Sequence, residues 1–143
     1  MKKIISAILL VCLIFSATAL ASCSLGGDMV TRQEAEQAIS NLLITLGRGE
    51  YETAATYMHP DANVSAEKLE TLDKELKNMK IDLSDGVKVK SVKSYYQTFY
   101  STDFNGSAYE LTFEAEIGDK TCTIKANTVR NANGFGVYSI TIA

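Results

Sequence analysis

The sequence has 143 residues, of which 46% are hydrophobic and 22% are charged, and its formal net charge is −3. That length supports one domain with a single core, not two. The hydrophobic fraction is too high, and the net charge too small, for a disordered chain. A pI near 5.2 provides no positive field to attract phosphates, so we predict no nucleic-acid partner.

Residues 1–22 have the pattern of an export signal. Lys2 and Lys3 form a short basic region, an apolar stretch covers 4–15, and small residues follow it. A transmembrane helix needs about 20 apolar residues, whereas hydroxyl side chains interrupt this segment. The segment is therefore predicted to be a signal peptide and no part of the fold.

The end of this segment carries a more specific motif, Leu20-Ala21-Ser22-Cys23. It resembles the bacterial lipoprotein signal, in which an aliphatic residue and small residues precede a cysteine. That resemblance implies cleavage before Cys23 and attachment of a diacylglyceryl group, with palmitate among its acyl chains. Two acyl chains hold a protein stably on a membrane, whereas one does not. We predict a lipid anchor on the extracytoplasmic face of the bacterial cell membrane; the alternative is an ordinary secretory signal.

The rest of the chain divides into a tether over 23–30 and a domain over 31–143. Apart from Cys23, the mature chain has one thiol, Cys122, so no internal disulfide can form. One histidine and one free cysteine are also too few for a zinc site. We therefore predict no metal and no cofactor.

The first half of the domain has helical periodicity. A capping box begins at Thr31, and apolar residues follow at helical spacing as far as Gly47. A second, shorter helix is predicted over 50–58, because the residue before Pro60 avoids helical geometry. A third helix begins at Ser65 and buries one leucine-rich face.

From Val87 the period changes to two, as in β-strands, with a slip between Val89 and Val92 that indicates a bulge. Turns at 105–106, 118–119 and 133–134 separate four strands. We predict an α+β fold in which N-terminal helices pack on a curved four-stranded antiparallel sheet. The predicted inward-facing residues are Tyr109, Leu111, Phe113, Ala115, Ile117, Cys122, Ile124, Ala126, Tyr138, Ile140 and Ile142.

The run from Leu42 to Tyr57, LLITLGRGEYETAATY, resembles the helix–Gly-acid–helix opening of the nuclear transport factor two-like superfamily. That resemblance implies a cystatin-like sheet that wraps on helices to form a cone. Enzymes of the superfamily use Asp, His or Tyr side chains that point into the cone. The predicted inner rows of the second and third strands offer one phenol, Tyr109, one thiol, Cys122, and otherwise hydrocarbon. Neither row supplies the acid–base pair that proton transfer needs.

Four residues are the candidates for catalysis. His59 and Asp61 could form an acid–base dyad, and Tyr57 and Tyr109 would have to converge with them on one pocket. The alternative is a structural histidine beside a proline turn with a solvated aspartate. Cys122 is predicted to be a small buried hydrophobe and not a nucleophile.

Four aromatic residues are the candidates for binding. In a strand, Tyr95 and Phe99 share one face, while Tyr96 and Tyr100 share the other. Since only one face can meet the helices, two rings should lie on the other face. They could pack across strands, or form an exposed platform for a partner, a glycan or a second copy of the domain.

These features predict a membrane-anchored extracytoplasmic lipoprotein whose domain is non-catalytic and binds a small apolar ligand or another envelope protein. One alternative is a cyclase- or isomerase-type enzyme that acts on an apolar small molecule in the cone. Another is a structural component of the envelope that acts through oligomerisation of its sheet.

Overall fold

The computed structural model describes residues 29–143. The predicted signal peptide over 1–22 and the predicted lipidation site Cys23 lie outside the described residues. In the part of the chain that is described, no helix is long and apolar enough to cross a membrane.

Over residues 29–143, three α-helices precede four β-strands. Helix α1 spans Arg32–Gly47, α2 spans Tyr51–Ala55 and α3 spans Ala66–Asn78. Single turns of 3₁₀-helix follow α2 and α3, at Pro60–Ala62 and Leu83–Asp85.

The predicted helix starts are confirmed. The Thr31 hydroxyl accepts a hydrogen bond from the Glu34 N–H at 3.3 Å, and the Thr31 N–H donates to the Glu34 carboxylate at 2.9 Å. Ser65 caps α3. Helix α2 ends at Ala55, earlier than predicted, because the residues after it leave the helix to hydrogen-bond with the last strand.

The strands are β1 (Val87–Ser101), β2 (Gly106–Ile117), β3 (Lys120–Asn131) and β4 (Gly134–Ile142). They form one antiparallel sheet in the order β1-β2-β3-β4, so β1 lies at one edge and β4 at the other. The helices pack on one face of this open sheet. The predicted α+β architecture is therefore confirmed.

Strand β1 is irregular along its length. The predicted slip is present as a register shift between Val89 and Ser91, and two more shifts occur further along the strand. Bulges twist and bend an edge strand, which makes it a poor template for pairing with a further strand.

The core lies between the helices and the inner faces of β2 and β3. Leu111 and Ile124 from the sheet pack there with Leu42 and Leu69 from the helices, and all four are buried. Burying each such side chain contributes about 1.5–3 kcal/mol to stability.

The predicted inward row of β4 is wrong at its first member. A bulge places Tyr138 between Val137 and Ser139, whose partners on β3 are consecutive residues. Val137 therefore takes the fully buried position. The half-buried Tyr138 ring packs edge-on against Phe104, with 4.9 Å between ring centroids. At the end of the strand Ile142 is buried as predicted.

Candidate functional site

His59 is almost fully buried, with 1% of its surface exposed. Its Nδ1 accepts a hydrogen bond from the Asp61 N–H at 3.0 Å, and its Nε2 lies 3.1 Å from the Gly134 carbonyl oxygen. A carbonyl oxygen can only accept, so Nε2 is the donor in this contact. Both ring nitrogens are occupied by the backbone, which leaves neither free to exchange a proton with a substrate.

The Asp61 carboxylate is also occupied by groups of the fold. It accepts hydrogen bonds from the side-chain amides of Asn131 at 2.7 Å and Asn133 at 2.9 Å. These bonds, that of Asn131 first, lower the pKa of Asp61 below its ordinary value. Asp61 is therefore an ionised link between the Pro60–Ala62 turn and the turn that joins β3 to β4.

The segment that carries His59 docks onto the edge of β4. The His59 N–H donates to the Val137 carbonyl at 2.8 Å, and the Val137 N–H donates to the Tyr57 carbonyl at 2.8 Å. A Cβ atom on Gly136 would lie 2.6 Å from the His59 nitrogen, so only glycine permits this close approach. We call this arrangement of His59 and Asp61 at the β4 edge the His59 cluster; its contacts are those of a structural joint.

An apolar cleft lies between α1, the Leu83–Val87 segment and the inner face of β1 and β2. Its volume is about 50 Å³. One water needs about 10–15 Å³, whereas ligand pockets measure about 300–1,000 Å³. The cleft thus has room for a few waters. Its lining comprises Glu36, Ile39, Ser40, Leu43, Ile44, Gly47, Arg48, Leu83, Ser84, Gly86, Val87, Val89, Leu111 and Phe113.

The four catalytic candidates do not meet in this cleft, since its lining includes none of His59, Asp61, Tyr57 and Tyr109. His59 lines a separate, shallow depression near α2. The buried Tyr109 instead stacks on Tyr95, with 6.3 Å between ring centroids and 7° between the ring planes. The structure therefore does not assemble the acid–base constellation that the enzyme hypothesis requires.

Cys122 is a free, buried thiol. Burial raises its pKa, so the thiolate that a nucleophile needs is disfavoured. Within residues 29–143, no group of three His, Cys, Asp or Glu side chains is arranged to hold a metal ion.

Asp73 forms a buried polar group that the sequence analysis missed. Its Oδ2 accepts hydrogen bonds from the Tyr51 hydroxyl at 2.6 Å and from Lys77 Nζ at 2.8 Å. The hydrogen bond to Asp73, reinforced by burial, raises the pKa of Tyr51. A sequence signal for it exists: Asp73 lies four residues after Leu69 and three before Leu76, and this helical spacing predicts that it shares the buried face of α3. The group joins α2 to α3.

The C-terminal half of β1 exposes four aromatic side chains. We call the run Tyr95–Tyr100 the aromatic segment. Tyr95 packs beside Tyr109 on the helix side of the sheet, whereas Tyr96 pairs with Glu110 on the outer side. From Lys90 onward no β1 residue is buried, so both sides of the strand reach solvent. The exposed fractions are 64% for Tyr95, 69% for Tyr96, 74% for Phe99 and 63% for Tyr100.

The aromatic segment is also free of charge. No Asp, Glu, Lys or Arg occurs over residues 94–102. The first half of β1 differs, because Lys90 pairs with Glu116 at 2.8 Å and Lys93 pairs with Glu114 at 3.1 Å. Ion pairs on the outer sheet face continue beside the aromatic segment, because Glu110, the cross-strand partner of Tyr96, pairs with Lys125 at 3.2 Å.

The chain enters the domain beside this segment. Val30 is fully buried; its N–H donates to the Ser107 hydroxyl at 3.0 Å, and its carbonyl accepts from Gln97 Nε2 at 2.8 Å. The carbonyl of Met29 accepts from Arg130 at 3.2 Å. Two residues that the sequence analysis assigned to the tether are therefore held by the sheet, one of them by the middle of the aromatic segment.

An ion pair reinforces this entry point. Arg130 Nη2 lies 2.9 Å from Glu34 Oε1, and the guanidinium sits 4.7 Å from the centre of the Phe135 ring. Burial opposes ionisation of Glu34, but hydrogen bonds from Arg130 and then Thr31 outweigh it, so the pKa of Glu34 is lowered. The Glu34 carboxylate therefore takes part both in the capping box of α1 and in the ion pair with Arg130, the residue that hydrogen-bonds Met29.

No protein-family profile, curated protein or solved structure matches the chain. The superfamily resemblance of the run from Leu42 to Tyr57 therefore stays a prediction.

Proposed function

We propose that the chain is an extracytoplasmic bacterial lipoprotein, anchored through Cys23, whose α+β domain acts as a non-catalytic interaction domain at the cell envelope. The observation that supports this function most is the exposure of four aromatic rings on the aromatic segment. Large exposed apolar patches mark interaction sites, because a soluble monomer gains nothing from keeping them in water.

The geometry around the other candidates supports a non-catalytic role. The polar side-chain atoms of the His59 cluster are hydrogen-bonded to the backbone and to two asparagines. The cleft beside α1 is far smaller than the pockets that hold substrates. The aromatic segment, in contrast, has rings without enough neighbouring surface to cover them.

The anchor is tested by replacing Cys23. The unaltered chain should fractionate with membranes, and the mass of its mature N-terminus should correspond to a lipidated Cys23. A Cys23→Ser variant should lose both properties. A mature chain that carries no lipid would contradict the proposed anchor.

The interaction role is tested by site-specific photo-crosslinking in living cells. A photoreactive phenylalanine analogue at Tyr96 should give adducts with envelope lipid or protein. The matched control carries the same analogue at Met79, which is 51% exposed and is the C-cap residue of α3, outside the aromatic segment. Equal crosslinking at both positions, or none at Tyr96, would contradict an interaction surface on the aromatic segment.

A further inference from the structure

We infer that the partner of the aromatic segment is the outer surface of the membrane that holds Cys23: Phe99 and the neighbouring tyrosine rings rest in the lipid interface. This inference rests on the proposed lipid anchor. The proposed function requires only that the aromatic segment contacts a partner, and here that partner is a lipid bilayer.

The first step is the length of chain between anchor and domain. Six residue steps separate Cys23 from Met29, and such a stretch spans at most about 21 Å when fully extended. Met29 and Val30 are fixed to the sheet by Arg130 and Gln97. The point at which the anchored segment joins the domain, Met29–Val30, therefore lies beside the aromatic segment.

The second step is the position of that point along the sheet. Gln97 hydrogen-bonds Val30 from within the aromatic segment, and Ser107 hydrogen-bonds it from the second residue of β2. β2 continues for ten more residues to Ile117, a distance of about 33 Å. The end of the sheet that carries the aromatic rings thus lies toward the anchor, while the turn between β2 and β3 points away.

The third step is the chemistry of the rings. Tyrosine places an apolar ring in the acyl boundary and its hydroxyl among the headgroups, and aromatic residues concentrate at membrane–water interfaces for this reason. Three tyrosines and Phe99 fit that environment. Residues 94–102 carry no charge of their own, so the segment itself brings no ion into the interface. The charged groups beside it are Arg32, 5.9 Å from the centre of the Tyr95 ring, and Glu110, opposite Tyr96.

The structure also argues against a second copy of the domain on this edge. Strand β1 has three register shifts against β2, one of them between Thr98 and Ser101 inside the aromatic segment. An irregular edge does not present the regular row of N–H and C=O groups that strand pairing needs. Contact with a bilayer, in contrast, requires no hydrogen-bonding register between strands.

The charge around the segment predicts which lipids suit it. Asp103 follows the segment, and Asp61, whose pKa is lowered, lies at the same end of the sheet and is ionised at neutral pH. The two arginines near the segment are each paired with a glutamate, Arg32 with Glu36 at 2.6 Å and Arg130 with Glu34 at 2.9 Å. The interaction should therefore be as strong on neutral phosphatidylcholine as on anionic lipid, or stronger.

The test uses tryptophan fluorescence, since the sequence contains no tryptophan. The full chain with Phe99→Trp is expressed, purified from membranes as the processed lipoprotein and reconstituted into phosphatidylcholine vesicles with brominated acyl chains. Bromine quenches a ring that lies in the interface, so emission should fall about twofold or more relative to unbrominated vesicles. Tyr96→Trp provides a second reporter, and Met79→Trp, outside the segment, should show no quenching.

Two results would overturn the inference, and they are distinguishable. If the protein floats with the vesicles but neither Phe99→Trp nor Tyr96→Trp is quenched, the anchor stands and the segment faces something other than lipid. Blue-shifted emission in that case would assign the segment to a second copy or another protein. If the purified chain carries no lipid and does not float, both the anchor and the membrane contact fail.

Discussion

The His59 cluster contains two of the residues that the sequence suggests for catalysis, and the aromatic segment contains those that it suggests for binding. The two regions differ in whether their side chains have partners within the domain. His59 and Asp61 direct their polar atoms to the backbone and to two asparagines of the same domain. Phe99 and its neighbours leave most of their surface uncovered. Side chains with internal partners stabilise the fold, and those without them are available for an external partner.

The largest effect is expected from removing the His59 side chain. His59→Ala leaves a buried cavity and strips partners from the Asp61 N–H and the Gly134 carbonyl. We expect the free energy of unfolding to fall by about 3 kcal/mol. Urea denaturation measures it, and a loss below about 1 kcal/mol would contradict a structural role.

A smaller loss is expected at the buried joint between α2 and α3. Tyr51→Phe removes the hydroxyl that donates to Asp73 at 2.6 Å. The ring stays, so the cost is that of one hydrogen bond to a charged group, about 1.5–3 kcal/mol. Thermal unfolding should register the loss; an unchanged melting temperature would show that Lys77 alone satisfies Asp73 Oδ2.

Glu34 should make stability depend on pH. Its pKa is lower in the folded chain than in the unfolded chain, so its ionised form contributes stability at neutral pH, and this contribution is lost as pH falls through the folded pKa. Glu34→Gln should cost about 1 kcal/mol at pH 7 and reduce the loss of stability between neutral and acidic pH. Parallel pH profiles for both chains would contradict this account.

The smallest effect on stability is expected in the aromatic segment. Tyr96→Ser combined with Phe99→Ser should change the free energy of unfolding by less than about 0.5 kcal/mol, because these rings cover little of the core. The same pair should abolish crosslinking from a photoreactive group at Tyr100. Marked destabilisation with intact crosslinking would show instead that these two rings stabilise the fold and do not form the interaction surface.

Much of the fold could be predicted from local signals. The capping box at Thr31, the turns and the slip after Val89 each depend on residues close in sequence, and all are present. The bulge at Tyr138 was missed, because its alternation with Ile140 and Ile142 fits a regular strand. Its cause is the pairing with β3, which sequence periodicity does not reveal.

The candidate site was predictable only in part. The two faces of a strand predicted that two rings lie on the side away from the helices, but not whether they pack across strands or are exposed. The exposure of all four rings depends on the helices not covering the end of β1. The burial of His59 depends on Gly134, 75 residues away in sequence. Contacts of that separation are properties of the tertiary fold and carry no local pattern.

The most direct test of the membrane contact compares the two halves of β1 in one lipidated protein. Val92 is partly exposed before the aromatic segment and Phe99 lies within it, about 20 Å apart along the strand. Single tryptophans at the two positions are compared in phosphatidylcholine vesicles with brominated chains. The account predicts strong quenching for Phe99→Trp and little for Val92→Trp; equal quenching, or none at either, would contradict it.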